Sequence, residues 1–584
     1  NVLLATNIHS IGARHLFPCW DEPELKATFQ FRFTHLQKYK IWPISVSERS
    51  AREDYKRNWL CTNSFIEDKI STYQLMFILT NFEFSIKTKF LAYNALGIYH
   101  TVIKLSIASR SRVENSMQVL YDVSNKILHS TWYHKIPLRR NITLLAIPAM
   151  KEDVMANWGL IVYEESLVTY DKQLDSYTRQ REVVNTVARG IAYQLVEENI
   201  VTLPWWSHLW FNKGLAALLH VQILDEVFWE WGFMDLFVVQ VHQDCLHLDT
   251  NFIMKPLLYE VQTSSEIKSL FSFPIYVKAP VILRMVRHIM GKMFEESIKK
   301  SIIYSTYSWD LIQVHTLCGS MDVIDNQELC NYTMKDIMET WITTNNYPIA
   351  HVHRNESTLF ICQSEEEFYN DNGSKALRHW LPITFTTSEQ LDFNNTTPRD
   401  WITPENSNRI SVRLTHKNEW IILNLQQTGY YRVKYDTNSL KFVTNYLLHE
   451  NYEKIHVLNR AQIIDDTYYF LMRGEVTYNT FMRLMNYLAR DRDYIAWYPM
   501  LQIFIDLSYF LPFAESAVIK QDMRYILKKL LSTLSYNEEV DDNDLTMRLR
   551  QEAIKWACIF GYTECQHTAT DKLKEHLEDP TNRK

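Results

Sequence analysis

The segment Met155–Gly214 holds the densest set of residues that chemistry could use. It begins with ANWGL, continues through a long apolar stretch and closes on TLPWWSHLWFNKGLAALL. Trp205, Trp206 and Trp210 fall within six positions, flanked by Phe211. At helical spacing Trp206 and Trp210 share a face, so they make either a helix–helix packing seam or the wall of a ligand groove. Histidines are the other candidates, as metal ligands. His242 and His247 are five apart, wrong for one helical face, with Asp244 and Cys245 between them. His351 and His353 share a strand face, and His208 stands beside the tryptophan pair. Ordinary surface histidines account for each of these. A Ser-His-Asp triad cannot be read off, because its members need not be neighbours in the chain.

Composition narrows the classes. The 584 residues suit about four domains at roughly 150 residues each. With 61 Lys and Arg against 68 Asp and Glu the net charge is −7, which excludes a basic nucleic-acid binder. A 46% hydrophobic and 22% charged composition excludes a disordered chain. Only 12 glycines are present and none cluster, so a glycine-built phosphate cradle is not expected. No run approaches the ~18 apolar residues of a spanning helix. The chain opens at Asn1 with no starter methionine and no signal-like segment, as an excised portion would.

Five positions fit the glycosylation acceptor pattern: Asn141, Asn331, Asn355, Asn394 and Asn395, the last two overlapping. Among eight cysteines, Cys558 and Cys565 are close enough to staple two helix ends, and Cys318 and Cys330 bracket a polar loop. Four unpaired thiols are the alternative. No CxxC pair exists, so a zinc knuckle is not expected.

The elements that must position these residues follow from periodicity. Residues 1–90 alternate as strands, with FQFRFTH near Phe29 and TYQLMFIL near Tyr73, and read as the end of a β-rich domain. Residues 91–345 turn helical, with apolar residues at helix spacing over Leu174–Leu195, Leu209–Val221 and Val281–Ile303. Residues 346–445 return to short strands and read as a small β-sandwich. Residues 446–584 are helical, an array that is incomplete at its end. The expected fold class is multidomain α+β.

On these residues the chain resembles the zinc aminopeptidase family of membrane alanyl aminopeptidase, whose motifs are GAMENWG, HExxH and a glutamate in WLNEGFA. ARHLFPCWDEPELKATF, Ala13 to Phe29, is similar to the family's domain-I signature. AIPAMKEDVMANWGLIVYEES resembles its substrate-amine region, and IVTLPWWSHLWFNKGLA the stretch with the third zinc ligand. YVKAPVILRM from Tyr276 resembles the catalytic-tyrosine helix, and GYYRVKYD and RAQIIDD mark the third and fourth domains. The resemblance covers the whole chain, without the first part of domain I and the later helices of domain IV. It implies a thermolysin-like second domain between β domains, an extracellular or cell-surface ectodomain whose anchor lies outside this chain, and a homodimer.

The chemistry is where the sequence departs from that family. There, two histidines four apart on a helix and a distant glutamate hold zinc, and the HExxH glutamate is the general base. Read forward from Val183–Val184, the histidine positions fall on Arg189 and Tyr193 and the base on Gly190. One extra residue lies within LVEEN, and the ungapped reading back from Ile200 places Gly190, Ile191 and Gln194 instead. Neither register supplies a ligand or a base. The third ligand falls on Lys213. GAMEN becomes DVMAN, so Ala156 replaces the glutamate that pairs with the peptide's ammonium, while Asn157, Trp158 and Gly159 remain. Tyr276 stays at the oxyanion-tyrosine position, and Ala279-Pro280 replaces Gly-Ala behind it, where a proline is expected to kink the start of the helix.

Zinc and three glutamates sum to about −1, whereas Arg189 and Lys213 with Gly190 and Ala156 sum to about +2. Buried cations need partners, for which Glu164, Glu165, Glu197 and Glu198 are candidates. Either an internal ion pair replaces the metal as glue, or the cavity now prefers anions. The expectation is a catalytically inactive aminopeptidase homologue with no cofactor, acting by binding a protein or peptide and no nucleic acid. An aminopeptidase with non-family ligands and a decayed gene copy are the alternatives.

Overall fold

The computed structural model describes residues 2–6, 11–43, 52–54, 58–95, 99–130, 141–199, 203–252, 254–304, 307–316, 330–363, 378–404, 409–539 and 542–578. The chain forms two compact units. The first joins Asn1–Met234 to Met254–Asn345, and the second joins Asp235–Ile253 to Asn346–Lys584. The fold is multidomain α+β, with β sheets, a central α/β region, smaller β elements and a C-terminal helical array.

In the first unit β2 (Lys26–Leu36) pairs antiparallel with β5 (Trp59–Ser71), which also pairs with β4 (Arg52–Asp54). The strict alternation in β2 puts Phe29, Phe31 and Phe33 on one face, with successive ring centroids 6.0 and 5.7 Å apart. A second three-stranded sheet has β6 (Phe77–Thr80) between β1 (Leu3–Ala5) and β3 (Lys40–Pro43).

The site sits on a five-stranded sheet of order β10-β11-β9-β8-β7. β7 (Phe84–Ala95) and β8 (Tyr99–Arg110) form one long antiparallel ladder, so the division drawn after residue 90 falls inside β7. Helix α1 (Gln118–Leu128) lies in the connection from β8 to β9 (Asn141–Ile147), which are parallel neighbours, as such a crossover requires. β10 (Val154–Asn157) and β11 (Leu160–Glu164) make an antiparallel hairpin at the sheet edge. Against this sheet pack α2 (Tyr177–Asn199) and, against α2, α3 (Leu209–Val227). α3 is apolar nearly all round and buried along most of its length, which suits a helix covered on several sides. Helix α4 (Phe273–Met290) crosses α3. It runs without interruption past Pro280. Among the described residues no single helix is long and apolar enough to cross a membrane; Ser264–Leu270 and α4 pass that test only together, bent by 53°.

The second unit has a four-stranded sheet, β14 (Ile410–Arg413), β13 (Thr358–Gln363), β12 (Ile349–Asn355) and β15 (Arg432–Tyr435), and two two-stranded pairs. Helices from Thr437–Leu447 to Thr563–Glu578 follow, around a core that includes Trp497, Leu527 and Trp556. The motifs GYYRVKYD and RAQIIDD lock this unit together. Arg432 of β15, fully buried, donates to Asp465 at 2.6 Å and Asp466 at 2.9 Å, both on α5 (Val457–Met472). Cys558 and Cys565 form a disulfide with Cα atoms 5.4 Å apart. Cys330 is also disulfide-bonded, and Cys318 lies outside the described residues.

Candidate functional site

The retained Asn157-Trp158-Gly159 builds a turn. Asn157 pairs with Leu160, leaving Trp158 and Gly159 as a two-residue loop with φ of +34° and +90°. Two consecutive positive φ values match the right-handed twist of the flanking strands, and glycine takes the second at no steric cost. The carbonyl of Gly159 accepts from the amide of Thr143, tying the turn to β9 at 2.8 Å. Ala156, just before it, is buried at the sheet edge.

Helix α2 brings the next residues over this edge strand. Arg189 donates from Nη2 to Asp153 Oδ2 at 2.9 Å, and Asp153 is the first residue of DVMAN. Gly190 is a residue without room. A Cβ built on it lies 2.5 Å from Tyr163 Oη and 2.8 Å from two ring carbons. Tyr163, on β11, is fully buried and donates its hydroxyl to the carbonyl of Val187 at 2.9 Å, so the ring is held where it is. Burial pushes its phenol well above the usual range, against a smaller pull from Arg189. One turn on, Tyr193 faces α3, where Lys213 Nζ sits 5.8 Å from its ring centroid.

His220, further along α3, was not singled out by the sequence. It is buried, and burial, helped by the nearby charge of Arg189, lowers its pKa to about 3. It is therefore neutral over the physiological range. The signal for it was present in the spacing, since it follows Lys213 by seven residues and shares its face of α3. Tyr276, in the first turn of α4, is 38% exposed. Behind it, Ala279 lies against Gly214, whose added Cβ would be 2.7 Å from the Ala279 Cβ.

The sequence as a whole matches three family descriptions in order. Residues 1–74 match the peptidase M1 N-terminal domain, 122–341 the peptidase family M1 domain and 420–583 the ERAP1-like C-terminal domain. Aminopeptidase N of Plutella xylostella is 25% identical over 589 residues, covering 99% of this chain and 61% of that protein. Aminopeptidase N of Oryctolagus cuniculus is 27% identical over 617 residues, and that of Homo sapiens 26% over 615, each across 100% of this chain and 60% of its relative. This chain is a homologue of the M1-family aminopeptidases. It spans about 60% of the length of the curated relatives it matches.

A family zinc ion does not fit the side chains at this place. At the positions that the resemblance assigns to the histidines stand an arginine already bound to Asp153 and a tyrosine under a lysine, and at the one it assigns to the third ligand stands that lysine. At Gly190, which the resemblance assigns to the base, the space beyond the Cα belongs to the Tyr163 ring. Among the described residues no three His, Cys, Asp or Glu side chains gather as a metal site. The two registers also differ in where they point. Ile191 and Gln194 line a small apolar void against β8, β9 and β11 with Leu105, Leu144 and Ile161, whereas Arg189 and Tyr193 meet β10 and α3.

The partners expected for the two cations are corrected by this geometry. Arg189 binds Asp153, which was not among the candidates. Glu165 instead receives Arg110, and Glu164 caps a short helix at Leu167 N. Glu197 and Glu198 have no described side-chain placement. Nor are the cations deeply buried: Arg189 keeps 29% of its side chain exposed, beside an Asp153 that is 61% exposed, and Lys213 is half-buried, so neither carries the desolvation cost that a core charge would.

The tryptophans form a packing seam. Trp206 donates its indole N–H to the carbonyl of Asp21 at 3.1 Å and meets Tyr73 edge-on, while Trp210 packs on Phe211 and Trp309. Trp205 donates to the carbonyl of Val261. Asp21 also accepts from Arg14 and Thr72, which explains what ARHLFPCWDEP is for: it docks the N-terminal strands on the helices. Of the five histidines singled out, His353 is exposed and the other four are buried or half-buried. His242 is fully buried, His247 binds Asp465 at 2.6 Å, and burial lowers His208 and His351, the latter to about 4.

Proposed function

We propose that this chain is a catalytically inactive M1 homologue that works by binding, as a scaffold or receptor-like ectodomain in the secretory pathway or at the cell surface. One observation carries the reading. The position of the general base has no side chain, and the space one would need is filled by a buried, hydrogen-bonded tyrosine. The ion pair of Arg189 with Asp153 and the stacking of Lys213 on Tyr193 replace the metal as the link between α2, β10 and α3. Ala156 offers a peptide ammonium no anion, so N-terminal capture in the family manner is lost with the chemistry. A protein or peptide partner is proposed, with no nucleic acid, and a homodimer and an external anchor remain part of the proposal. Exposure of all five acceptor asparagines and the Cys558–Cys565 disulfide support an oxidising, glycosylating compartment.

Metal analysis and aminoacyl-amide hydrolysis on one preparation of the full-length protein test this. Zinc near zero with no turnover is the expected result. One zinc per chain with chelator-sensitive hydrolysis would overturn it.

A further inference from the structure

A second cavity, of about 610 Å³, opens on the far side of α2. Its walls come from α1, from Gln180 and Val184 near the start of α2, and from the segment after α3. At about 100° per residue, the nine positions from Gln180 to Arg189 put the two on opposite sides of α2, so this cavity is separate from the remodelled site. That volume lies within the range of small-molecule sites.

Three aromatic residues in four positions line one wall. Phe228 and Trp231 stack with centroids 5.1 Å apart and planes 26° apart. Trp229, between them, is 73% exposed, an unusual place to leave an indole. Facing these rings are polar groups of both kinds. Asp122 and Glu230 are acceptors, Lys126 is a donor and Gln180 is both. Asn125 adds an amide whose Oδ1 is shielded from solvent and receives no hydrogen bond. The two carboxylates and the unfilled Asn125 oxygen call for a ligand that brings donors of its own beside an apolar face.

A cationic ligand fits less well. Lys126 Nζ already stands 5.2 Å from the Phe228 centroid, which takes the favourable cation position and repels a second positive charge. An anionic ligand would meet two carboxylates. A pyranose satisfies both demands: its axial C–H groups lie on an aromatic face while its hydroxyls donate to carboxylates and amides. We propose that this cavity is a binding site for a neutral carbohydrate, with Trp229 as the stacking platform and Asp122 and Glu230 as hydroxyl acceptors.

Saturation-transfer NMR on the full chain tests it, using methyl β-glucopyranoside, methyl β-galactopyranoside and N-acetylglucosamine, with an arginine tripeptide as the competing class. Transfer to the ring C–H protons of at least one sugar is expected. Trp229→Ala, at an exposed position where folding is preserved, should weaken that sugar about tenfold, the equivalent of one lost stacking contact. Glu230→Gln, which keeps the shape, should weaken it less and leave the circular dichroism unchanged. Three results each overturn the proposal: no transfer to any of the three sugars, transfer undiminished in Trp229→Ala, or transfer to the tripeptide alone.

Discussion

Gly190 and Tyr163 compete for one volume, and that competition has a measurable sign. Alanine in place of a helical glycine gains about 1 kcal/mol of helix propensity. Forcing a methyl group into a filled core costs about 1–3 kcal/mol, and the Tyr163 ring cannot swing away while its hydroxyl holds Val187. Gly190→Ala should therefore lower stability in urea, and Gly190→Glu should lower it further without creating hydrolysis; an alanine variant more stable than the parent would contradict the packing. Arg189→Ala is the contrasting case. Its partner is mostly exposed, so the loss should stay within about 1 kcal/mol in the same denaturation measurement. The reassignment of Arg189 to Asp153 shows what sequence can and cannot deliver here. Motif spacing offers two registers for the ligand positions, through Arg189 and Tyr193 or through Gly190, Ile191 and Gln194. The partner was missed because it stands five residues before the turn, just ahead of β10, a neighbour only after α2 has crossed the sheet.

Helix crossings carry the next level. Ala279-Pro280 looked like damage, because the resemblance places smaller residues there. The structure gives the other half of the contact: Gly214 on α3 faces Ala279, so the two backbones still approach closely. Gly214→Ala would set two methyl carbons 2.7 Å apart, with the backbone carbon of residue 279 at 3.0 Å. Unlike a side-chain tip, a backbone cannot yield alone, so α3 and α4 must separate. The expected loss is about 1–3 kcal/mol by thermal or chemical melting, with a lower midpoint and an unchanged helix signal. An unaffected midpoint would mean that the helices are not held at this distance. The strand and helix pattern was largely readable, since Phe29, Phe31 and Phe33 alternate and α3 is apolar for five turns. The division after residue 90 was not, because the alternating pattern of β7 continues through it and only pairing to β8 shows which sheet it serves.

Over the whole molecule the buried titratable groups divide by unit. In the first, burial lowers His208, His220, His288 and His315, with His220 at about 3. A histidine whose folded pKa lies below its unfolded value binds its proton only in the unfolded chain, so this unit loses stability as pH falls through about 6.5. In the second, Asp465 raises the pKa of His247, against its burial. Burial, opposed by Arg432 and helped by Asp465, pushes Asp466 to about 7, and burial carries Asp244 and Asp491 to about 6. Each of these binds its proton more tightly when folded, so that stability is lost as pH rises through the same window. His351, lowered to about 4, acts the other way, and so does Asp465, whose burial is outweighed by Arg432 and His247 so that its carboxyl lies well below the usual range. Calorimetry should then resolve two transitions that move apart: the first unit melts earlier at about pH 5.5, the second earlier at about pH 8. The assignment can be checked by breaking the second unit's network. Arg432→Met strands two buried carboxylates, which costs about 3–5 kcal/mol and should lower only the transition that weakens at high pH. Two transitions that shift together with pH, or a variant that lowers both equally, would mean that the units unfold as one and that their buried charges share a single balance.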